Sequence, residues 1–196
     1  MYKSQMKFQK IVCFMVLIAS AVAFVYSLGL VTDLYETLYQ MIPDPNNYST
    51  EYVPGAEIFY DIQPFNRRLT IVALVLILIS VFMMIMNTHT RRKYYIGNYV
   101  AIAVSVIANV SASVWALVNV MNYKNQYLTN VDFDALEMWA GIWDTPSGVK
   151  LFWFNAAYVV FGLLLLSTVL LVLNLIWKIS VTNAENKLIA EGKEVA

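Results

Sequence analysis

Long apolar runs alternate with polar joints along the whole chain. Four runs contain no Asp, Glu, Lys, Arg or His: Ile11–Thr32, Leu69–Asn87, Tyr99–Met121 and Leu151–Trp177. A hydrocarbon core of about 30 Å is crossed by about 20 apolar residues rising about 1.5 Å each. Each run is therefore long enough to span a bilayer. Backbone polar groups find no water in lipid, and an uninterrupted run satisfies them internally as a helix. The pattern predicts an all-α membrane protein: an antiparallel four-helix transmembrane bundle forming a single four-span unit over residues 1–196.

The joints between the runs differ in length. Residues 88–98 make a short hinge, whereas 33–68 and 122–150 exceed the roughly 2–8 residues usual between bundle helices. These two segments are expected to form one small cap at the same end of the bundle. In the first, Leu34, Leu38 and Ile42 recur every four residues beside Tyr35 and Tyr39, an amphipathic continuation of the first helix that Pro43 and Pro45 would stop. The β-prone runs Thr50–Val53 and Ala56–Ile62 flank Pro54-Gly55, which predicts a β-hairpin. In the second, Asp134 with Glu137 three residues later reads as a capping arrangement opening a short helix through Ile142. Asp144-Thr145-Pro146 reads as the cap and first turn of the fourth helix.

Composition narrows the class. The chain is 60% hydrophobic and 13% charged, with a mean hydropathy of +0.60. Soluble domains run about 45–50% apolar and about 25% charged. One cysteine and one histidine exclude a disulfide scaffold and a His- or Cys-built metal centre within this chain, so no metal and no cofactor are expected. Zero net charge offers no electrostatic footprint for nucleic acid.

Charge placement then sets the orientation. Lys3, Lys7, Lys10, Arg91, Arg92, Lys93, Lys178, Lys187 and Lys193 fall on one side, against Arg67, Arg68, Lys124 and Lys150 on the other. The positive-inside rule puts the first set in the cytoplasm, giving a multi-pass protein of the cell membrane with both termini cytoplasmic. A second reading treats the basic start, the run Ile11–Ile18 and Ala19-Ser20-Ala21 as a cleaved signal peptide. Hydrophobicity continuing to Val31 favours a retained span.

Within the spans, helices associate through small residues and hydrogen bonds. Ala19, Ala23 and Ser27 form one such row, Ser105, Asn109 and Ser113 another, with Ala112 on the adjacent row Ala108–Ala112–Ala116. Asn155, Tyr158 and Gly162 make a mixed row on the last helix, and Asn109, Asn119, Asn155 and Asn174 are expected to face neighbouring helices. The loop aromatics Tyr52, Phe59, Tyr60, Trp139 and Trp143, with Arg67 and Arg68, are the candidate partner-binding residues; an interfacial aromatic belt is the alternative reading.

No Ser/His/Asp or Cys/His set and no phosphate-binding glycine loop is present, and an enzyme is not expected. The sequence fits a noncatalytic accessory or scaffold subunit of a larger membrane complex, such as a transport assembly. Its partners would be other membrane subunits and lipid, with homo-oligomers left open. A self-associating transporter or channel, or a receptor-like binder using the cap, are the alternatives. The four-span plan resembles claudins and tetraspanins in topology alone. Those families pair cysteines in an outer loop, whereas the single cysteine here, Cys13, lies in the first span, so no family is assigned.

Overall fold

The computed structural model describes residues 2–38, 53–87, 95–143 and 148–192, and among them every regular element is helical. These elements are α1 (Tyr2–Leu28), α2 (Leu30–Leu38), α3 (Ile58–Asn87), α4 (Tyr95–Asn130), α5 (Phe133–Trp143) and α6 (Phe152–Ala190). α1, α3, α4 and α6 are the four helices long and apolar enough to cross a membrane. α1 packs on α3 and α6, and α4 packs on the same two helices, so α1 and α4 stand diagonally across the bundle. Both described ends of the chain lie at one pole, where Phe8 meets Trp177 at 5.6 Å. We call this the terminal end and the opposite pole the loop end.

The helices outrun the apolar segments. α4 continues through Asn130 because Tyr127, with Val131 just past the helix end, extends its buried face beyond Met121. α6 reaches Ala190, and at 39 residues it is about 58 Å long, well beyond a bilayer core. α3 starts eleven residues before Leu69 and includes Pro64.

The expected β-hairpin is not formed. Its second arm is instead turn and helix: Ala56 N–H donates to Val53 O (3.1 Å), Ile58 N–H to Gly55 O (3.2 Å) and Phe59 N–H to Ala56 O (3.1 Å), a run of tight turns that winds into α3. The reason lies in the longer pattern. Ile58, Phe59, Ile62, Phe65 and Leu69 are all buried at helical spacing, continuous with Ala73, Leu76, Ser80 and Met83. A stripe of period 3.6 sustained over about seven turns outweighs a short β-prone run. Of the first arm only Val53 is described, and it is buried; residues 50–52 and the amphipathic positions 39–42 lie outside the described residues.

Gly29 breaks the first helix. Its N–H donates to Tyr26 O at 2.9 Å, and a Cβ there would stand 3.2 Å from that oxygen and 3.8 Å from Trp153 Cδ1. The helix is interrupted there, and the amphipathic continuation becomes the separate helix α2. Asn66 on α3 donates Nδ2 to Ser27 O at 2.7 Å, satisfying one of the carbonyls that a helix end leaves without a partner. At α5 the cap is Asp132, not Asp134: Asp132 Oδ1 accepts from Ala135 N–H at 3.0 Å, the N-cap-to-N3 bond. The expected cap at Asp144–Pro146 lies outside the described residues, and α6 begins at Phe152 without a side-chain cap.

The two long joints touch. Asp132 N–H donates to Pro54 O at 3.0 Å, and Gly55 at φ 84° lies directly against the Asn130–Val131 backbone.

Candidate functional site

Two layers divide the interior. The loop half is apolar and aromatic: Tyr26 stacks on Trp153 (5.4 Å, 14°) and meets Phe161 edge-on, while Tyr127 contacts Phe133 and Phe154. Phe65 inserts between Trp115 and Tyr123, joining α3 to α4. Burial of such rings away from water and lipid tails gives close contacts rather than a hydrophobic drive, since lipid is equally apolar.

The terminal half contains a polar network tying all four spanning helices. Gln5 Nε2 reaches Gln9 Oε1 and Asn174 Oδ1, both at 3.0 Å, and Gln9 Nε2 donates to Asn87 Oδ1 at 2.7 Å. Asn87 Nδ2 donates to Met83 O (2.9 Å) and to Cys13 Sγ (3.5 Å). Asn98, its amide oriented to suit both neighbours, donates to Met86 O and accepts from Lys178 Nζ at 3.3 Å. The Lys178 ammonium also lies 5.3 Å from the Tyr99 ring centre, and the Tyr99 hydroxyl pairs with Thr182 Oγ1 at 3.2 Å. Lys178 is only 2% exposed. Nearer the middle, Ser20 Oγ and Ser80 Oγ pair at 3.1 Å across α1 and α3.

One row stands apart. Asn109 is fully buried, and among the described residues neither its Nδ2 nor its Oδ1 has a hydrogen-bond partner. The same is true of Ser105 Oγ and Ser113 Oγ, one turn to either side. Unpaired buried polar groups cost about 1–3 kcal/mol each, so four such atoms on one helix face are a strong structural anomaly.

Of the residues singled out in the sequence, Ala19, Ala23, Ser27, Ser105, Asn109 and Ala112 are buried among the helices. Asn155 faces outward instead and accepts from Lys124 Nζ at 2.8 Å, with Lys124 also 5.6 Å from the Tyr158 ring. It lies outward because Trp153, Phe154, Ala157 and Phe161 take the inward face of α6. Gly162, the next in that row, has nothing within 4 Å of its Cβ position. Asn119 bonds within its own helix, to Trp115 O at 2.7 Å.

Among the loop residues, Phe59 is 3% exposed and packs edge-on against Tyr35, so it belongs to the core. Tyr60 is 48% exposed, Arg67 and Arg68 are exposed on α3, and Trp139 is half-buried against the loop-end core. Trp143 ends α5, and Tyr52 lies outside the described residues. Gln5, Gln9 and Lys178 are the contributors that a hydropathy reading misses. Their signal is spacing: Gln5, Gln9 and Cys13 recur every four residues, as do Asn174 and Lys178.

The bundle's outer surface carries grooves. One of about 510 Å³ lies between α3 and α4, lined by Leu78, Ile79, Phe82, Met86, Val100, Ala101 and Val104. A second of about 380 Å³ shares Ile79 and continues toward the loop end past Ile71, Val72, Val75, Leu76, Ala108, Ser111, Ala112 and Trp115. Comparison with protein-family models, curated proteins and solved structures finds no match to the chain.

Proposed function

We propose that the chain is a noncatalytic scaffold subunit of a larger membrane assembly, and that a partner's transmembrane helix lies in the α3–α4 groove. The observation that supports this reading is the continuity of that groove with an exposed stripe on α3. Tyr60, Arg67, Ile71, Leu74, Leu78 and Phe82 all point outward at helical spacing. On the facing wall, Ala101, Ala108, Ser111 and Ala112 are small, which lets a third backbone approach closely. Arg67 and Arg68 at the loop end of the stripe suit a carboxylate or carbonyl on the incoming helix. Tyr60 and Trp139 would frame the same end.

Val104→Trp and Ser111→Trp fill the groove at exposed positions, so the bundle itself should be unaffected. In a gentle-detergent pull-down, wild type is expected to bring down a discrete membrane protein, and both variants to lose it while expressing at wild-type level. Retention of the partner by both variants, or its absence from wild type, overturns the proposal.

A second reading, conduction by a self-associated bundle, draws on the unpaired Ser105–Asn109–Ser113 row. It predicts solute flux in liposomes containing only this chain, abolished by Asn109→Leu. The scaffold reading predicts flux equal to empty vesicles.

A further inference from the structure

At the loop end, α4 and α6 meet on their outer rim through a cation that no acid answers. Lys124 on α4 donates to Asn155 Oδ1 on α6 at 2.8 Å and lies 5.6 Å from the centre of the Tyr158 ring. Both partners are neutral, and among the described residues no carboxylate pairs with this ammonium. An ammonium carries three N–H donors, and the Asn155 oxygen takes one of them. Asn155 and Tyr158 are three residues apart on α6 and therefore neighbours on its surface. With its oxygen engaged by Lys124, Asn155 keeps its Nδ2 to donate, and the Tyr158 hydroxyl has no partner among the described residues. Asn155 is exposed and Tyr158 is 43% exposed, so these donors meet whatever surrounds the bundle.

Depth decides what that is. Lys124 follows Met121, the end of the apolar run in α4, by three residues. At 1.5 Å per residue that is about 4–5 Å. The polar headgroup layer adds about 5–8 Å to each side of the hydrocarbon core, so the three side chains lie at the level of lipid phosphates. Beyond them, toward the middle of α6, the rim is apolar and open. Gly162 has nothing within 4 Å of its Cβ position, and Val159, Leu163 and Leu166 are exposed. α6 also begins at Phe152 without a side-chain cap, which places the positive end of its dipole in the same layer.

The geometry points to a seat for the phosphate of an anionic glycerophospholipid at the loop end of the α4–α6 rim, with Lys124 Nζ, Asn155 Nδ2 and the Tyr158 hydroxyl as its donors. The acyl chains run along the open face past Gly162. Phosphatidylcholine brings a second cation beside Lys124 and phosphatidylglycerol brings none, so the seat prefers phosphatidylglycerol. The rim lies on the α6 side of α4, away from the α3–α4 groove, and the seat does not depend on a partner helix there.

The test uses the full chain in phosphatidylcholine nanodiscs containing a minor share of lipid with a diazirine near the start of one acyl chain. That lipid is either phosphatidylglycerol or phosphatidylcholine, and labelled residues are mapped by peptide mass spectrometry. Wild type is expected to be labelled between Tyr158 and Leu166 about fivefold more by the phosphatidylglycerol probe, the scale of one lysine at an anionic surface. The preference is expected to vanish in Lys124→Gln and Asn155→Leu and to survive in Lys124→Arg. Both positions face outward, and labelling at the terminal end, unchanged among the variants, shows that the bundle is intact. Equal labelling of wild type by the two probes, or an undiminished preference in Lys124→Gln, overturns the inference. Loss of the preference on adding soluble glycerol phosphate also overturns it, since the seat would then take a free phosphate.

Discussion

Replacing Gly55 by alanine probes how the two long joints are fastened together. Gly55 has φ 84°, a region where an L side chain costs about 1–2 kcal/mol. The added methyl would also drive into Asn130 O and its carbonyl carbon and sit 2.8 Å from Val131 N. These are backbone atoms at the end of α4, and they yield only by moving the joint. Displacement by that amount resembles overpacking, about 1–3 kcal/mol, and it strains the Asp132 N–H bond to Pro54 O, worth about 1 kcal/mol. The combined loss is about 3–6 kcal/mol, or about 6–24 °C in Tm at 2–4 °C per kcal/mol. Two other glycines act as controls. Gly148 has φ 87° but nothing within 4 Å of its Cβ position, so Gly148→Ala should lose only the conformational part. Gly141 is helical with open space around it, so Gly141→Ala should stabilise by up to about 1 kcal/mol. Tryptophan fluorescence on heating in nanodiscs reads all three. Equal Tm for Gly55→Ala and Gly148→Ala would refute the close approach of the joints.

A double-mutant cycle of Gln9→Leu and Asn87→Leu should give a coupling of about 0.6 kcal/mol, the usual scale of a hydrogen bond between membrane helices; zero coupling would remove this pair from the network. Ala116→Leu adds volume at a fully buried position and should lower stability by about 1–3 kcal/mol, so unchanged detergent stability would contradict its placement in the core. In a Cys13→Ser background, cysteine at Asn125 should react with impermeant maleimide on intact cells and cysteine at Thr90 should not. The reverse labelling would overturn the orientation drawn from the nine-to-four division of Lys and Arg.

The four spans are legible because length and apolarity decide them together, and no soluble element competes. Their ends are less so. Hydropathy stops at Met121, yet α4 continues because Tyr127 and Val131 bury one face against the joints, a tertiary effect. The segment Ala56–Ile62 carries β-prone residues, but its Ile58, Phe59 and Ile62 also begin the longer α3 stripe, and the longer periodicity prevails. The polar interior was half visible. Ser105, Asn109 and Ser113 show their spacing within an apolar run, whereas Gln5, Gln9 and Lys178 lie where polarity reads as the membrane boundary. Only the meeting of α1, α3, α4 and α6 at the terminal end turns them into an interior network. Asn155 fails in the opposite sense: its row looks like packing, but the apolar Trp153, Phe154, Ala157 and Phe161 take the inward face of α6 and leave the row outside.

The central claim, that the α3–α4 groove receives a partner helix, is tested most directly by photocrosslinking in native membranes. A photoreactive residue replaces Val104 in the groove wall, or Val169 on the exposed face of α6 as a control. The account predicts one discrete protein adduct from position 104, lost when Ser111→Trp is added, and only lipid adducts from 169. Lipid adducts alone from both positions, or the same protein adduct from each, would contradict it.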